Sequence, residues 1–230
     1  MLEITWLGHS CFQLRLESGE VFLLDPWLEN PKAPKDFKVE RLDAILLSHG
    51  HFDHLGDVVN LSKKFSAPVV SNFEIARYLE MKGVEQAFDM NHGGTRTVGP
   101  ISVSMTAAIH SSSMIEDGKI VYLGEPAGLV LHPPDGRRAY FAGDTAVFSD
   151  MALIKEIYQP ELAFLPIGDH YTMGPREASV ACRLLKPKKV IPMHYGTFPI
   201  LTGTPKALAD LIKDSGTEVW ELQPGKPVKW

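Results

Sequence analysis

The sequence predicts an α+β domain in which one β-sheet packs on another with helices outside. Two observations carry that expectation. Strand-like segments crowd the first 25 residues, and from residue 44 onward short apolar strands take turns with amphipathic helices. A third bounds it: 230 residues, 44% hydrophobic and 22% charged, can bury a sizeable core. No Ser/Gly-rich linker, low-complexity stretch or charge shift divides the chain, so a single domain over residues 1–230 is expected.

The elements follow in order. Leu2, Ile4 and Trp6 alternate, then Phe12, Leu14 and Leu16, and a turn at Ser18-Gly19 leads into the run Val21–Leu24, which together read as a meander of strands. Residues 26–41 hold three prolines and mixed charge, the composition of a long loop. Residues 44–47 form a short buried strand. Val58, Leu61 and Phe65 fall on one face of a helix that stops before Pro68. Asn72 can cap a second helix, with Ile75, Tyr78 and Leu79 inward and an end near Gly83. Ile101, Val103, Met105, Ala107 and Ile109 alternate with Ser102, Ser104 and Thr106, the pattern of a half-buried strand. A hairpin is expected from residues 119–131 and 137–142, around Pro133-Pro134-Asp135-Gly136.

In the last third, Leu153, Ile154 and Ile157 indicate a helix after Ser149, and residues 163–165 a strand. Pro175 suits the first turn of a helix that buries Ala178, Ala181 and Leu185. Val190 and Ile191 form a strand. Thr204-Pro205 opens a helix with Leu208, Leu211 and Ile212 inward, stopped by Gly216.

Composition excludes several classes. Mean hydropathy is near zero and no apolar run approaches a membrane span. The start, Met1-Leu2-Glu3-Ile4-Thr5-Trp6, lacks the basic and apolar segments of a signal peptide, so a cytoplasmic protein without a membrane partner is expected. Two cysteines, Cys11 and Cys182, exclude a disulfide framework and a CxxC zinc knuckle. A formal charge of −5 without a Lys/Arg-rich run disfavours nucleic acid as partner and leaves a small-molecule substrate. A homo-oligomer is compatible with the sequence, which leaves the oligomeric state open.

The chemistry concentrates in His49-Gly50-His51-Phe52-Asp53-His54, three imidazoles and a carboxylate between a buried strand and a helix. Residues two apart on extended backbone point the same way, so His49 and His51 can share one metal ion. Asp53 and His54 lie past the bend and can serve a second. The competing reading, a chance surface cluster, sits poorly with only nine histidines in the chain. His110, Asp144 and His194 each stand just beyond an apolar run, where sites assemble on a rigid scaffold. Singly each would be a structural residue; with the hexapeptide they make a set of seven ligands.

His-x-His-x-Asp-His, a lone His, an Asp in Gly143-Asp144-Thr145 and a late His resemble the signature of the metallo-β-lactamase superfamily, along the whole chain. Gly8-His9-Ser10-Cys11-Phe12, Pro166-Ile167-Gly168-Asp169 and Met193-His194-Tyr195-Gly196-Thr197-Phe198 resemble a subgroup of small metal-dependent hydrolases related to ascorbate-6-phosphate lactonases. His170-Tyr171 departs from the Asn-Phe usual there. The resemblance implies a four-layer αββα sandwich with the site at one edge. It further implies that His49, His51 and His110 hold one metal, that Asp53, His54 and His194 hold the other, and that Asp144 bridges them.

Nitrogen and oxygen ligands suit Zn²⁺ first, and also Mn²⁺, Fe²⁺ or Ni²⁺. Two ions about 3.5–4 Å apart can hold a bridging water and bring its pKa toward neutrality. The hydroxide would attack a carbonyl or phosphoryl centre, with Asp53 as ligand and as acceptor of its proton. His9 is expected to support a ligand by hydrogen bonding, ahead of a structural role or direct catalysis. His170 and Tyr195 are candidates to face the substrate or to stabilise loops. His92 and His132 read as surface-loop residues, Cys182 as core, and Cys11 as an apolar strand position. The loops 26–41 and 111–119 are candidate rims of the pocket, and Lys32, Lys35, Lys38 and Arg41 read as a solvated face because Glu29, Asp36 and Glu40 are interleaved with them.

The expected activity is therefore hydrolysis of a lactone, phosphodiester or thioester. A nuclease of the superfamily is disfavoured by the acidic balance. Its di-iron redox branch is disfavoured by His51, where that branch carries an acidic residue. A non-catalytic metal-binding module would sit oddly with seven intact ligands.

Overall fold

A computed structural model describes residues 2–230, and their strands form two seven-stranded sheets. The first holds β1 (Leu2–Trp6), β2 (Phe12–Leu16), β3 (Val21–Leu24), β4 (Ala44–Leu46), β5 (Val69–Asn72) and β6 (Ala87–Met90) in that spatial order, with the last strand, β16 (Pro227–Lys229), beside β1. The second holds β7 (Thr95–Val98), β8 (Ile101–Ala107), β11 (Ala127–His132), β12 (Ala139–Phe141), β13 (Leu162–Pro166), β14 (Lys189–Met193) and β15 (Glu218–Val219), again in chain order. A separate hairpin pairs β9 (Ser113–Glu116) with β10 (Lys119–Tyr122). The helices are α1 (Phe52–Leu55), α2 (Val58–Phe65), α3 (Phe73–Met81), α4 (Met151–Tyr158), α5 (Pro175–Leu185) and α6 (Pro205–Ile212).

Period-two alternation builds the layers. On β4, Ala44 and Leu46 face the core between the sheets, while Ile45 packs with Val58, Leu61, Ile75 and Leu79 of α2 and α3. Because this strand is buried on both faces, its run is apolar throughout. Between the sheets, the Phe12 ring lies edge-on to Phe141 at 6.2 Å and to Phe164 at 4.9 Å. On the far side, Met151, Ile154, Ala178, Ala181, Leu185 and Leu208 of α4, α5 and α6 cover the second sheet. The result is the four-layer αββα sandwich.

Pairing sense places the site. β1 and β3 are both antiparallel to β2, and β4 is parallel to β3, so these three strands end on one side of their sheet. β8 and β12 are both antiparallel to β11, and β13 and β14 run parallel to β12, so their ends also align. The loops after both sets of strand ends meet along one edge of the sandwich.

Several elements differ from expectation. β5, β6, β7, β15 and β16 were not anticipated, being two to four residues long and lacking a full alternating pattern. The strand expected over 119–131 is broken at 123–126, where Gly124 takes φ +75°, so its first part pairs back on β9 instead. Ile109 lies beyond the end of β8 and is 55% exposed. Leu153, Ile157 and Leu211 also face solvent, lying off the helix faces that bury Met151 and Ile154 on α4 and Leu208 and Ile212 on α6. No helix among the described residues is long and apolar enough to cross a membrane.

Candidate metal centre

Ligand-type side chains arrive at the shared edge from both sheets. His9 follows β1, Asp25 follows β3, and residues 49–54 follow β4. His110, Asp144 and His194 follow β8, β12 and β14. Their loops turn sharply to deliver them. His9, Asp25 and His194 all have left-handed backbone, with φ of 51°, 42° and 53°. Such strain costs roughly 1–3 kcal/mol per residue and gathers where a site needs a particular side-chain direction. Gly143 has φ +60°, and a Cβ there would lie 2.8 Å from both the Ala127 carbonyl oxygen and Ser48 Cβ. Only glycine can lead the chain into Asp144 at that point.

Asp144 Oδ2 is the hub. It lies 3.0 Å from His194 Nε2, 3.4 Å from His54 Nε2, 3.7 Å from His110 Nε2 and 4.0 Å from His49 Nε2. Asp53 Oδ2 is 3.0 Å from His9 Nε2, 3.8 Å from His194 Nε2 and 4.0 Å from His54 Nε2. His49 Nε2 and His51 Nδ1 are 3.0 Å apart. Two sets of ligand atoms emerge, each lying mutually within 4.8 Å: His49, His51 and His110 in one, and His9, Asp53, His54 and His194 in the other.

A second tier of contacts fixes these rings. Asp25 is wholly buried and accepts hydrogen bonds from Ser48 N at 2.8 Å, Ser48 Oγ at 2.5 Å and His54 Nδ1 at 2.6 Å. Asp25 also forms a compact group with His49 and His54, but these bonds already engage its oxygens. His49 Nδ1 meets Ser48 Oγ at 3.0 Å, and His51 Nε2 meets Ser111 Oγ at 3.2 Å. His9 spans Asp53 and Thr197, its Nδ1 lying 2.9 Å from Thr197 Oγ1.

The electrostatics split the cluster. Burial lowers His49 well below the ordinary imidazole range, and burial likewise lowers His51 and His110. These three stay neutral and keep lone pairs for a cation. Burial alone would raise Asp144, but the His194 and His54 imidazoles outweigh it and hold the carboxyl well below its usual range. Burial pulls His54 down, and the carboxylates of Asp144, Asp25 and Asp53 reverse that and push it well up. His9 is lowered to about 4 by burial and by neighbouring His194.

A divalent cation fits this arrangement. His54 Nε2, Asp144 Oδ1 and His194 Nδ1 are buried without a hydrogen-bond partner. Buried polar atoms are otherwise almost always satisfied, and His54 Nε2 faces the Asp144 and Asp53 carboxylates, with His194 Nε2 turned to the same two oxygens. All donors are nitrogen or oxygen, a set that zinc and other first-row divalent ions accept.

The structure brings all seven expected ligands together, and five of them, His51, Asp53, His110, Asp144 and His194, line a cleft of about 630 Å³, with His49 and His54 buried beneath. Phe52, Tyr171, Phe198 and Ile200 form its walls, with Ser111 at the rim. His9 is 0% exposed and lies behind Asp53, outside the cleft lining. Tyr195 is turned away from the cleft, stacked on Trp6 at 5.4 Å and covered by Lys32, whose Nζ is 4.4 Å from its ring. His170 sits in an exposed turn against the Tyr171 ring, so the neighbouring tyrosine, not His170, reaches the cleft.

Of the two expected rims, only Ser111 contributes to the lining; residues 113–122 form the β9–β10 hairpin and no residue of 26–41 lines the cleft. His132 is not in a loop: it ends β11 and bonds Ser104 Oγ at 2.8 Å. His92 lies in an exposed turn, and Cys11 and Cys182 are both buried. Asp25 escaped the sequence reading although it carries the same positional signal as the ligands, a carboxylate directly after an apolar run.

Comparison with known proteins gives the same picture. Residues 20–195 match the model of the β-lactamase superfamily domain. A UPF0173 metal-dependent hydrolase of Solibacter usitatus is 59% identical over 230 residues, covering 100% of both chains. The solved structure of a metallo hydrolase from the hyperthermophilic archaeon Ignicoccus hospitalis superposes with a TM-score of 0.87 at 33% identity, covering 99% of this chain and 97% of that one. An isothiocyanate hydrolase from Delia radicum gut bacteria shares the fold with a TM-score of 0.73 at 18% identity, covering 99% and 98%.

Proposed function

The chain belongs to the metallo-β-lactamase superfamily, among the UPF0173 metal-dependent hydrolases, and on that premise we propose that it hydrolyses a small ester-like bond, such as a lactone or phosphodiester, at a dinuclear centre. In this reading His49, His51 and His110 would hold one divalent ion, Asp53, His54 and His194 would hold the other, and Asp144 would serve both. Zinc is the favoured metal on ligand chemistry. When bound, such a pair supplies an acidified water and positive charge for the oxyanion that develops at the attacked carbon or phosphorus.

The protein's own groups have distinct tasks. Asp53 is both a ligand and the acceptor for the proton that the attacking water loses. Its Oδ2 is held by His9, and His9 is held in turn by Thr197, so the carboxylate cannot swing away. Asp25 and Ser48 orient His54 and His49 from behind. Phe52, Phe198 and Ile200 place apolar surface beside the cleft floor.

The observation that carries this reading is the convergence of four imidazole nitrogens, Nε2 of His49, His54, His110 and His194, within 4.0 Å of Asp144 Oδ2. The test is an assay of Zn²⁺- and Mn²⁺-loaded protein against lactones, phosphodiesters and thioesters, beside chelator-stripped protein and the Asp144→Asn variant. Turnover of one class that disappears in both controls supports the reading. Two bound ions without turnover of any class would remove the hydrolytic part of it.

A further inference from the structure

From the cleft walls we infer that the substrate is a small uncharged molecule whose non-reacting part is apolar, an alkyl- or aryl-substituted lactone or ester rather than a phosphorylated or otherwise anionic one. This rests on the reading of the cleft floor as the hydrolytic centre and narrows it to one substrate class.

The walls are apolar and already exposed. Phe52 is 59% exposed, Tyr171 56% and Ile200 44%, although each sits at the one cleft floored by the ligand cluster. Isolated exposed apolar residues are ordinary, but a contiguous set rimming a polar floor marks a binding surface. The aromatic side is braced from behind. Trp27 meets the Phe52 ring edge-on at 5.5 Å and stacks on Phe198 at 5.9 Å, so both rings hold their places before any ligand arrives. A cleft of about 630 Å³ is of a size to take a small molecule.

Charge selects against anionic substituents. No lysine or arginine is among the residues that line the cleft. Lys32 lies over Tyr195, which faces the other way. Outside the ligand cluster the lining offers only the hydroxyls of Ser111 and Tyr171 as polar groups. A phosphate or carboxylate remote from the scissile bond would lose its hydration against Phe52 and Ile200 without gaining a counter-charge. An alkyl or aryl group gains there in proportion to the area it buries. Hydrolysis then adds water across the acyl C–O bond: the acyl carbon gains the water's oxygen, the leaving alkoxide takes up one of its protons, and the other is released as the acid ionises to a carboxylate.

The test uses γ-lactams, which keep the carbonyl but resist hydrolysis, binding to metal-loaded protein by calorimetry. Lengthening the alkyl substituent from methyl through hexyl should tighten binding about three- to fourfold per methylene until the cleft is filled. Ile200→Ala and Phe52→Ala should flatten that dependence, and neither residue is a buried support of the fold. A terminal carboxylate on the same chain should weaken binding, measured in chelator-stripped protein so that no metal captures it. Affinity that is flat with length, or tighter for the carboxylated lactam, would overturn the inference. If lactam affinity climbs with length while no ester or lactone is turned over, the substrate-binding inference stands and the proposed reaction falls.

Discussion

Asp25 accepts a hydrogen bond from His54 Nδ1 at 2.6 Å with neither side chain reaching solvent. That bond fixes the tautomer of His54 and turns its Nε2 toward Asp144, 3.4 Å away. Asp25 thus connects the end of β3 to the ligand set that follows β4, and its removal should be felt there with every ligand side chain left in place.

Asp25→Ala is expected to lower metal affinity by about 10–100-fold. It should also destabilise the metal-free protein by about 3–5 kcal/mol, because His54 and Ser48 lose their buried partner. Metal titration and denaturant unfolding read the two effects separately. Unchanged metal affinity would show that Ser48 and packing alone orient His54.

Gly168→Ala and Gly136→Ala should part company. A Cβ on Gly168 would fall 2.0 Å from the His194 carbonyl oxygen, so the backbone that carries a ligand must move. Gly136 has φ +85° with nothing within 4 Å, so alanine there meets only backbone strain, about 1–2 kcal/mol. Gly168→Ala should cost more stability and also impair metal binding, whereas Gly136→Ala should leave metal binding intact. Equal effects in denaturant unfolding and metal titration would contradict the packing argument.

The metal-free protein should lose stability as pH rises through the neutral and mildly alkaline range. Burial pulls the His194 imidazole down from 6.5, but Asp144 beside it outweighs burial and sets it at about 9. The folded state therefore holds that proton more tightly than the unfolded chain. Its contribution is complete below pH 6.5 and is lost as pH rises through about 9. Denaturant unfolding at a series of pH values should show the decline, and His194→Gln should flatten it. A decline of the same size in the variant would assign the effect to another group.

The architecture was readable where a strand or helix had one clear buried face. Leu2, Ile4 and Trp6 on β1, and Ala178, Ala181 and Leu185 on α5, declare their periods, and both elements form as expected. The ligand cluster was readable because imidazole and carboxylate are costly to bury, so seven of them after apolar runs need a common purpose. Less was readable where context decides. Val69 to Asn72 is too short to show a period and becomes a strand because β4 and β6 flank it. Ile157 and Leu153 look like core residues but fall outside the stripe that α4 presents to the sheet. Neither His170 nor Tyr195, the expected candidates, lines the cleft; the left-handed turn at Asp169-His170, with φ of 66° and 62°, carries Tyr171 there instead, a conformation no side-chain pattern announces.

The central claim is that seven residues hold two divalent ions, and metal stoichiometry tests it most directly. Purified protein equilibrated with excess Zn²⁺ and freed of unbound ion should retain two equivalents per chain by elemental analysis, and Asp144→Asn should lose at least one of them. A single equivalent in the unaltered protein, or two equivalents that persist in Asp144→Asn, would contradict the bridged dinuclear centre.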